Sequence, residues 1–354
     1  MKQRESRLFW VDAVRATAIF LVVVIHLSAG QVVAWHSDTS LSWWVAHIFD
    51  TLARPAVPLF VLLSGSLLLG KQESFTQFFK KRVSRIVLPW LWWVACTILL
   101  DYFFALNSTG FDNGMRGFVV HYFMSGFWFM PLLVQLYVLT PFLRVLVAKV
   151  SSKTLLLFGV GLIAIVSVQS TYCGVRDTCQ VWPLTSGLQY LGYYLVGYAV
   201  SQLSLKKYQI LLWSALWFFA NLWIILGTYS VSSVRGGFSE AYYQYLSVPV
   251  AITSVALFIC SKYWWEQGTF KLGIKKYIAR MSAASFGIYL LHALVVKIIF
   301  ATPFEQVFSP LLALPFIGIP LASVVLFGIS FFIIELMQRS KYLKLGKYPL
   351  VTCS

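Results

Sequence analysis

Charge is what this chain has least of. Asp, Glu, Lys and Arg together make up 11% of its 354 residues, where a soluble domain carries roughly a quarter. That is too little polar surface for a water-soluble fold. Acidic residues are the scarcer kind, 12 against 28 basic. The surplus of 16 positive charges does not point to nucleic acid, because the basic residues fall in short clusters between apolar runs rather than along one stripe. Five cysteines exclude a disulfide-dense secreted scaffold. Internal repeats, low-complexity tracts and long polar segments are missing too, which leaves no sign of a solenoid or of an appended soluble domain.

Apolar sequence fills the space, 59% of residues, with 17% aromatic. A run of about 20 such residues matches a helix crossing a hydrocarbon core about 30 Å thick. Ten runs are present, at roughly 8–30, 54–70, 86–106, 127–148, 154–170, 186–203, 209–228, 241–261, 282–301 and 312–336. They predict an all-α polytopic membrane protein, a single integral-membrane domain over residues 1–354. Lys2, Arg4 and Arg7 before the first run resemble the start of a signal peptide, but Asp12 and Arg15 lie inside its apolar part, so the run reads as a retained first helix. With the N-terminus cytoplasmic, 22 of the 28 basic residues fall on the cytoplasmic side, as the positive-inside rule requires. Arg116, Arg176 and Arg235 are then in outer loops. An even number of spans preserves this asymmetry, so both termini are expected inside.

Cys96 and Cys260 lie in or near spans and read as small packing residues. Cys173 and Cys179 share an outer loop, where a local disulfide is expected if that side is oxidising. No spacing fits a metal site. His36, His47 and His121 read as outer loop or interface residues.

Ionisable residues inside a span are costly, about 2.5–3.5 kcal/mol on insertion scales, and mark function by default. The first span, VDAVRATAIFLVVVIHLSAG, carries three: Asp12, Arg15 and His26. At 100° per residue His26 lies about 20° from Arg15 around the helix, and Asp12 within about 60°. The three form one stripe, with Arg15 about 16 Å below His26. Asp12 is too far along the axis to orient His26 and is expected to pair with Arg15; a partner for His26 must come from another helix. The bland alternative is a helix–helix hydrogen-bond network. Ser64 and Gly65 interrupt the second run, where small residues permit close packing. Arg82 and Arg85 are helical neighbours in a basic amphipathic stretch entering the third run. They are either snorkelling topology signals or paired guanidinium forks for phosphate. Ser285, Tyr289 and His292 make a second polar stripe in the ninth run. Trp128 is an interfacial anchor or an acceptor platform, and Arg54 and Lys297 are candidate acceptor-side cations.

In combination these features resemble the acyltransferase 3 family of membrane acyltransferases. They are Arg15 and His26 separated by ten residues, VPLFVLLSG ending in Ser64–Gly65, Arg82-x-x-Arg85 before IVLPW, SGFWFMPLLVQLYVLTP at 125–141, and SFGIYLLHALV at 285–295. The content is most similar to single-domain enzymes that O-acetylate envelope polysaccharides. The resemblance implies acetyl-CoA as donor, bound from the cytoplasm, and an acceptor hydroxyl on an envelope glycan or undecaprenyl-linked saccharide at the outer face of the bacterial inner membrane. It implies His26 as the essential histidine and Arg15 as its partner arginine, with Asp12 just upstream on the same helix. Arg82 and Arg85 would bind the donor, with Lys81, Ser64 and Gly65 around it, and Arg54, Trp128, Tyr289 and His292 would face the acceptor. His26 acts either as general base or as an acylated relay. A transporter or polysaccharide exporter using Arg15 and His26 as a path is the alternative. Inverted repeats, common in transporters, are not visible here.

Overall fold

The computed structural model describes residues 2–35, 40–104, 117, 120–176 and 186–339, all of them helix, turn or coil, with no strand among them. The chain runs through α1 (Lys2–Val33), α2 (Leu41–Ala53), α3 (Ala56–Leu68), α4 (Phe75–Arg82) and α5 (Leu88–Phe104). It continues through α6 (Phe129–Lys149), α7 (Ser152–Arg176), the short α8 (Ser186–Gln189), α9 (Leu191–Gln202), α10 (Lys207–Arg235) and α11 (Val248–Gln267). It closes with α12 (Leu272–Phe300), α13 (Glu305–Leu312) and α14 (Pro315–Arg339). Among the described residues, nine helical runs are long and apolar enough to span a membrane. The protein is a multi-pass membrane protein.

Nine of the ten predicted runs correspond to those spans. The second is longer than its apolar stretch, because α2 precedes α3 across the Arg54–Pro55 junction and the whole run covers Leu41–Leu68. His47, expected in an outer loop or at the interface, is therefore fully buried within α2. The sixth run, 186–203, is split into α8 and α9. Its 12-residue helix is buried almost all round, with Tyr193, Tyr194, Leu195 and Val196 at 0% exposure, as expected of a helix enclosed by protein rather than lipid.

Glycine permits one crossing that no other residue would. A Cβ on Gly65 would sit 1.8 Å from the carbonyl oxygen of Tyr194, and one on Gly197 would sit 2.0 Å from that of Leu62. Helices α3 and α9 thus touch backbone to backbone, the small-residue packing that membrane helices use in place of a hydrophobic driving force.

Helices α1 and α12 run side by side in register. Arg15 donates to Ser282 at 3.0 Å, and eleven residues on His26 meets His292, ten residues on from Ser282, with ring centroids 4.8 Å apart. The ladder between α4 and α5 widens into a π-turn at Val83–Val87. Pro89 has no N–H to offer the carbonyl of Arg85 four residues back, and Leu88 N–H reaches Val83 O instead. Such turns concentrate at functional sites.

The basic residues assigned to one side also meet in space, Lys81, Arg82 and Arg144 all pointing at Glu73. Arg235, assigned to the other side, donates to the carbonyls of Gly174 and Val175. Gly236, in the left-handed region at φ 66°, then ends α10. Cys96 and Cys260 are free, as expected. Cys173 is disulfide-bonded, while Cys179, like His36 and Arg116, lies outside the described residues.

Candidate active site

The site is built in levels from the basic end inward. At the mouth, Lys71, Lys81, Arg82 and Arg144 gather near Glu73, and Arg85 lines the same cavity. Lys81 donates to it at 2.6 Å and Arg144 at 3.4 Å, with Arg82 at 3.9 Å. Burial pushes the Glu73 carboxyl up, but the bonds from Lys81 and Arg144 and the Arg82 charge outweigh it and hold the group below the usual carboxylate range. Burial first, then the Arg82 charge, pulls Lys71 below the usual ammonium range. The second effect marks surplus positive charge that an anion would relieve. Phe78, fully buried, carries the guanidinium carbons of Arg82 and Arg144 each 4.7 Å from its ring centre, a cation–π arrangement that fixes both forks.

A cavity opens from this mouth. Its polar walls are Lys71, Arg82, Arg85, Arg15, Ser64 and Ser285, and it ends against Tyr289. Phe60, Leu67, Phe129, Met130 and Leu133 supply much of the apolar lining. Arg15 stands part-way along it. Ser282 links that cation to Asp12, accepting from Arg15 and donating to Asp12 Oδ1 at 2.6 Å, and the charges themselves are 3.7 Å apart. The expected Asp12–Arg15 pair is present, with a serine as bridge.

Tyr289 is three residues short of His292, whose ring lies 6.0 Å from its own. His292 is 2% exposed, and its Nδ1 lies 2.7 Å from Tyr289 O and 3.0 Å from Ile288 O. His26, by contrast, is exposed on a helix whose adjacent residues Ile25 and Leu27 are buried. It borders open space on one side and His292 on the other, and it is not a wall of the cavity below.

Beyond His26 the polar groups form a compact network. Arg54 donates from Nε to Asp50 Oδ1 at 2.6 Å and closes a second, shorter contact through Nη2. Its guanidinium lies 4.1 Å above the Tyr243 ring, and its charge also acts on His26 and Tyr245. Tyr243 OH pairs with His47 Nδ1 and donates to His47 O at 3.2 Å. Trp128 stacks on Tyr245, 5.4 Å between centroids and 18° between planes.

Of the predicted residues, Arg15, Ser64, Arg82, Arg85 and Tyr289 line one cavity, and His26 meets His292 above it. Gly65 does not face the cavity, since its α-carbon is pressed against α9. Lys81 engages Glu73 beside the mouth rather than lining it. Lys297 is paired with buried Asp101 at 2.9 Å to both carboxylate oxygens, so its charge is neutralised within the fold. Sequence reading passed over Glu73, Arg144, Ser282, Asp50 and Tyr243. Glu73 and Asp50 had a usable signal, as two of only 12 acidic residues lying within a few residues of basic ones.

The family model described as an acyltransferase domain, that of acyltransferase 3, matches residues 8–335. The chain belongs to the acyltransferase 3 family. No curated protein and no solved structure matches it. The match takes in nearly all of this acyltransferase, from α1 to the last turns of α14, so every level of the site lies inside the family domain. Membership selects acyl transfer over the transporter reading.

Proposed function

We propose that this acyltransferase moves an acetyl group from cytosolic acetyl-CoA to a hydroxyl of a cell-envelope glycan, free or carried on undecaprenyl lipid, at the outer side of the bacterial inner membrane. The observation that carries the proposal is the continuous cavity from the Lys71–Arg82–Arg85 mouth past Arg15 to Tyr289, one turn from the His26–His292 pair. Coenzyme A has phosphates at one end and a slender, uncharged arm at the other. Guanidinium forks suit the phosphates, and the apolar walls suit the arm. The arm extends about 15–20 Å, close to the rise of about 16 Å from Arg15 to His26. With the thioester delivered at His26, Arg15 is too deep below it to stabilise the reacting carbonyl, and its part is to hold the donor along the shaft. Asp12 and Ser282 keep that cation in place.

The acceptor hydroxyl attacks the thioester carbon, the carbon–sulfur bond breaks and coenzyme A leaves as thiolate. His26 takes the hydroxyl proton and returns it to the sulfur, or takes the acetyl group first and passes it on. Arg54, Tyr245 and Trp128 border the acceptor's approach.

The test is binding and turnover of radiolabelled acetyl-CoA by the purified protein in detergent. Wild type and His26→Ala should both bind saturably, and only wild type should release labelled acetate. Arg85→Ala should bind the donor more weakly. Absence of binding in all three refutes the donor, and turnover by His26→Ala refutes the histidine.

A further inference from the structure

We infer that His292 is the positioning residue of His26: its Nε2 lone pair accepts the N–H of His26, directly or through one water, and leaves the other His26 nitrogen bare toward the open space. The inference rests on the reading of His26 as the reacting group. It begins from a tautomer. His292 Nδ1 lies against two carbonyl oxygens, at 2.7 and 3.0 Å, and carbonyls only accept, so Nδ1 carries the hydrogen. In a neutral imidazole the other nitrogen is then an acceptor. That nitrogen, Nε2, is buried with no hydrogen-bond partner among the described residues. A buried polar atom left so is uncommon and calls for an explanation.

The explanation lies 4.8 Å away, ring centre to ring centre, at an angle of 59°. The two rings share one level of the bundle because α1 and α12 are held in register by the Arg15–Ser282–Asp12 bridge below. His26 stands between His292 and open space, so the buried acceptor is behind it, where an orienting group belongs. Catalytic histidines need such a group, since the hydrogen bond on one nitrogen sets which other nitrogen is free. Carboxylates often serve in that role, but Asp12 lies about 21 Å away along α1. Asp50 meets Arg54 through Oδ1 and makes no contact with His26 among the described residues. A neutral histidine does the same work without placing a second charge in the membrane.

The experiment compares wild type, His26→Ala, His292→Leu and His292→Gln in the acetyl-CoA binding and acetate-release assay, with melting temperature recorded for each. Leu keeps bulk and removes the acceptor, while Gln restores an amide oxygen near the place of Nε2. The expected result is a loss of about tenfold or more in kcat for His292→Leu, the scale seen when supporting residues are removed. Donor Kd should be unchanged and the acidic limb of the pH–rate profile displaced, and Gln should recover to within about threefold of wild type. Turnover of a folded His292→Leu within about twofold of wild type, or an equal loss in Leu and Gln variants of normal melting temperature, overturns the inference. If the Leu variant does not fold, His292→Phe, which likewise lacks an acceptor, takes its place under the same threshold. A wild type that fails to bind acetyl-CoA, or an active His26→Ala, overturns the functional reading and this inference with it.

Discussion

Removing Arg54 should damage the fold more than removing both Arg54 and Asp50. Asp50 is completely buried and Arg54 largely so, their side chains at 0% and 15% exposure, and the only cation bonded to Asp50 among the described residues is Arg54. Breaking one side of such a pair leaves an uncompensated charge away from water, at a cost of about 3–5 kcal/mol, whereas replacing both partners with apolar groups is often nearly neutral. Unfolding entropies near 2.1 cal/mol/K per residue give a chain of 354 residues about 0.7 kcal/mol/K. The loss then corresponds to a fall of about 4–7 °C in melting temperature. Arg54→Met should show that fall in detergent. Asp50→Asn should cost less, since its amide keeps hydrogen-bonding capacity but strands the Arg54 cation. The double variant should lie well above the sum of the two, with a coupling of about 2 kcal/mol or more. Additive effects, or an Arg54→Met variant within about 1 °C of wild type, would refute the pair as a buried ionic unit.

Gly65→Val should destabilise by about 1–3 kcal/mol or more, because the obstacle is the Tyr194 backbone and not a movable side chain; yield and melting temperature of the purified variant check this. The Glu73 carboxyl, held below its ordinary 4.5, contributes stability that is fully present above that value and is lost as pH falls through its folded pKa. The melting temperature of wild type should therefore fall faster than that of Glu73→Gln between pH 5 and pH 3, and parallel curves would disprove the linkage. Ser282→Ala removes the bridge between Asp12 and Arg15, and it should weaken acetyl-CoA binding about two- to tenfold with little change in melting temperature, the size of one lost charge-assisted hydrogen bond. Equilibrium binding of the labelled donor measures it.

Much of the architecture was legible because lipid imposes a simple code: apolar length gives spans, and Lys and Arg give sides. Asp12, Arg15 and His26 could be placed on one stripe because a single helix fixes their angles. The code weakens where protein replaces lipid. Helix α9 is enclosed, so no bilayer thickness dictated its length, and α2 hides His47 and Asp50 in a stretch that lay outside the predicted second run. It fails for contacts between helices. Ser282 is 267 residues from Arg15 and 270 from Asp12, and His292 is equally remote from His26. No periodicity along the chain joins them; only the packing of α1 against α12 does. Gly65 shows the reverse limit, where a motif is present for how two backbones meet.

The stretch of α1 between Arg15 and His26 carries a consequence for the cell. Ile19 and Val23 are at 0% exposure and Val22 at 5%, although Ile19 and Val22 lie on nearly the same line as the two polar groups. A membrane that stores energy as an ion gradient holds about 2.3 kcal/mol per charge for each 100 mV, and a wet passage lined by arginine and histidine would drain it. From Ala18 to Ile25, α1 carries only apolar side chains, so along this helix an ion finds no polar foothold between the two groups.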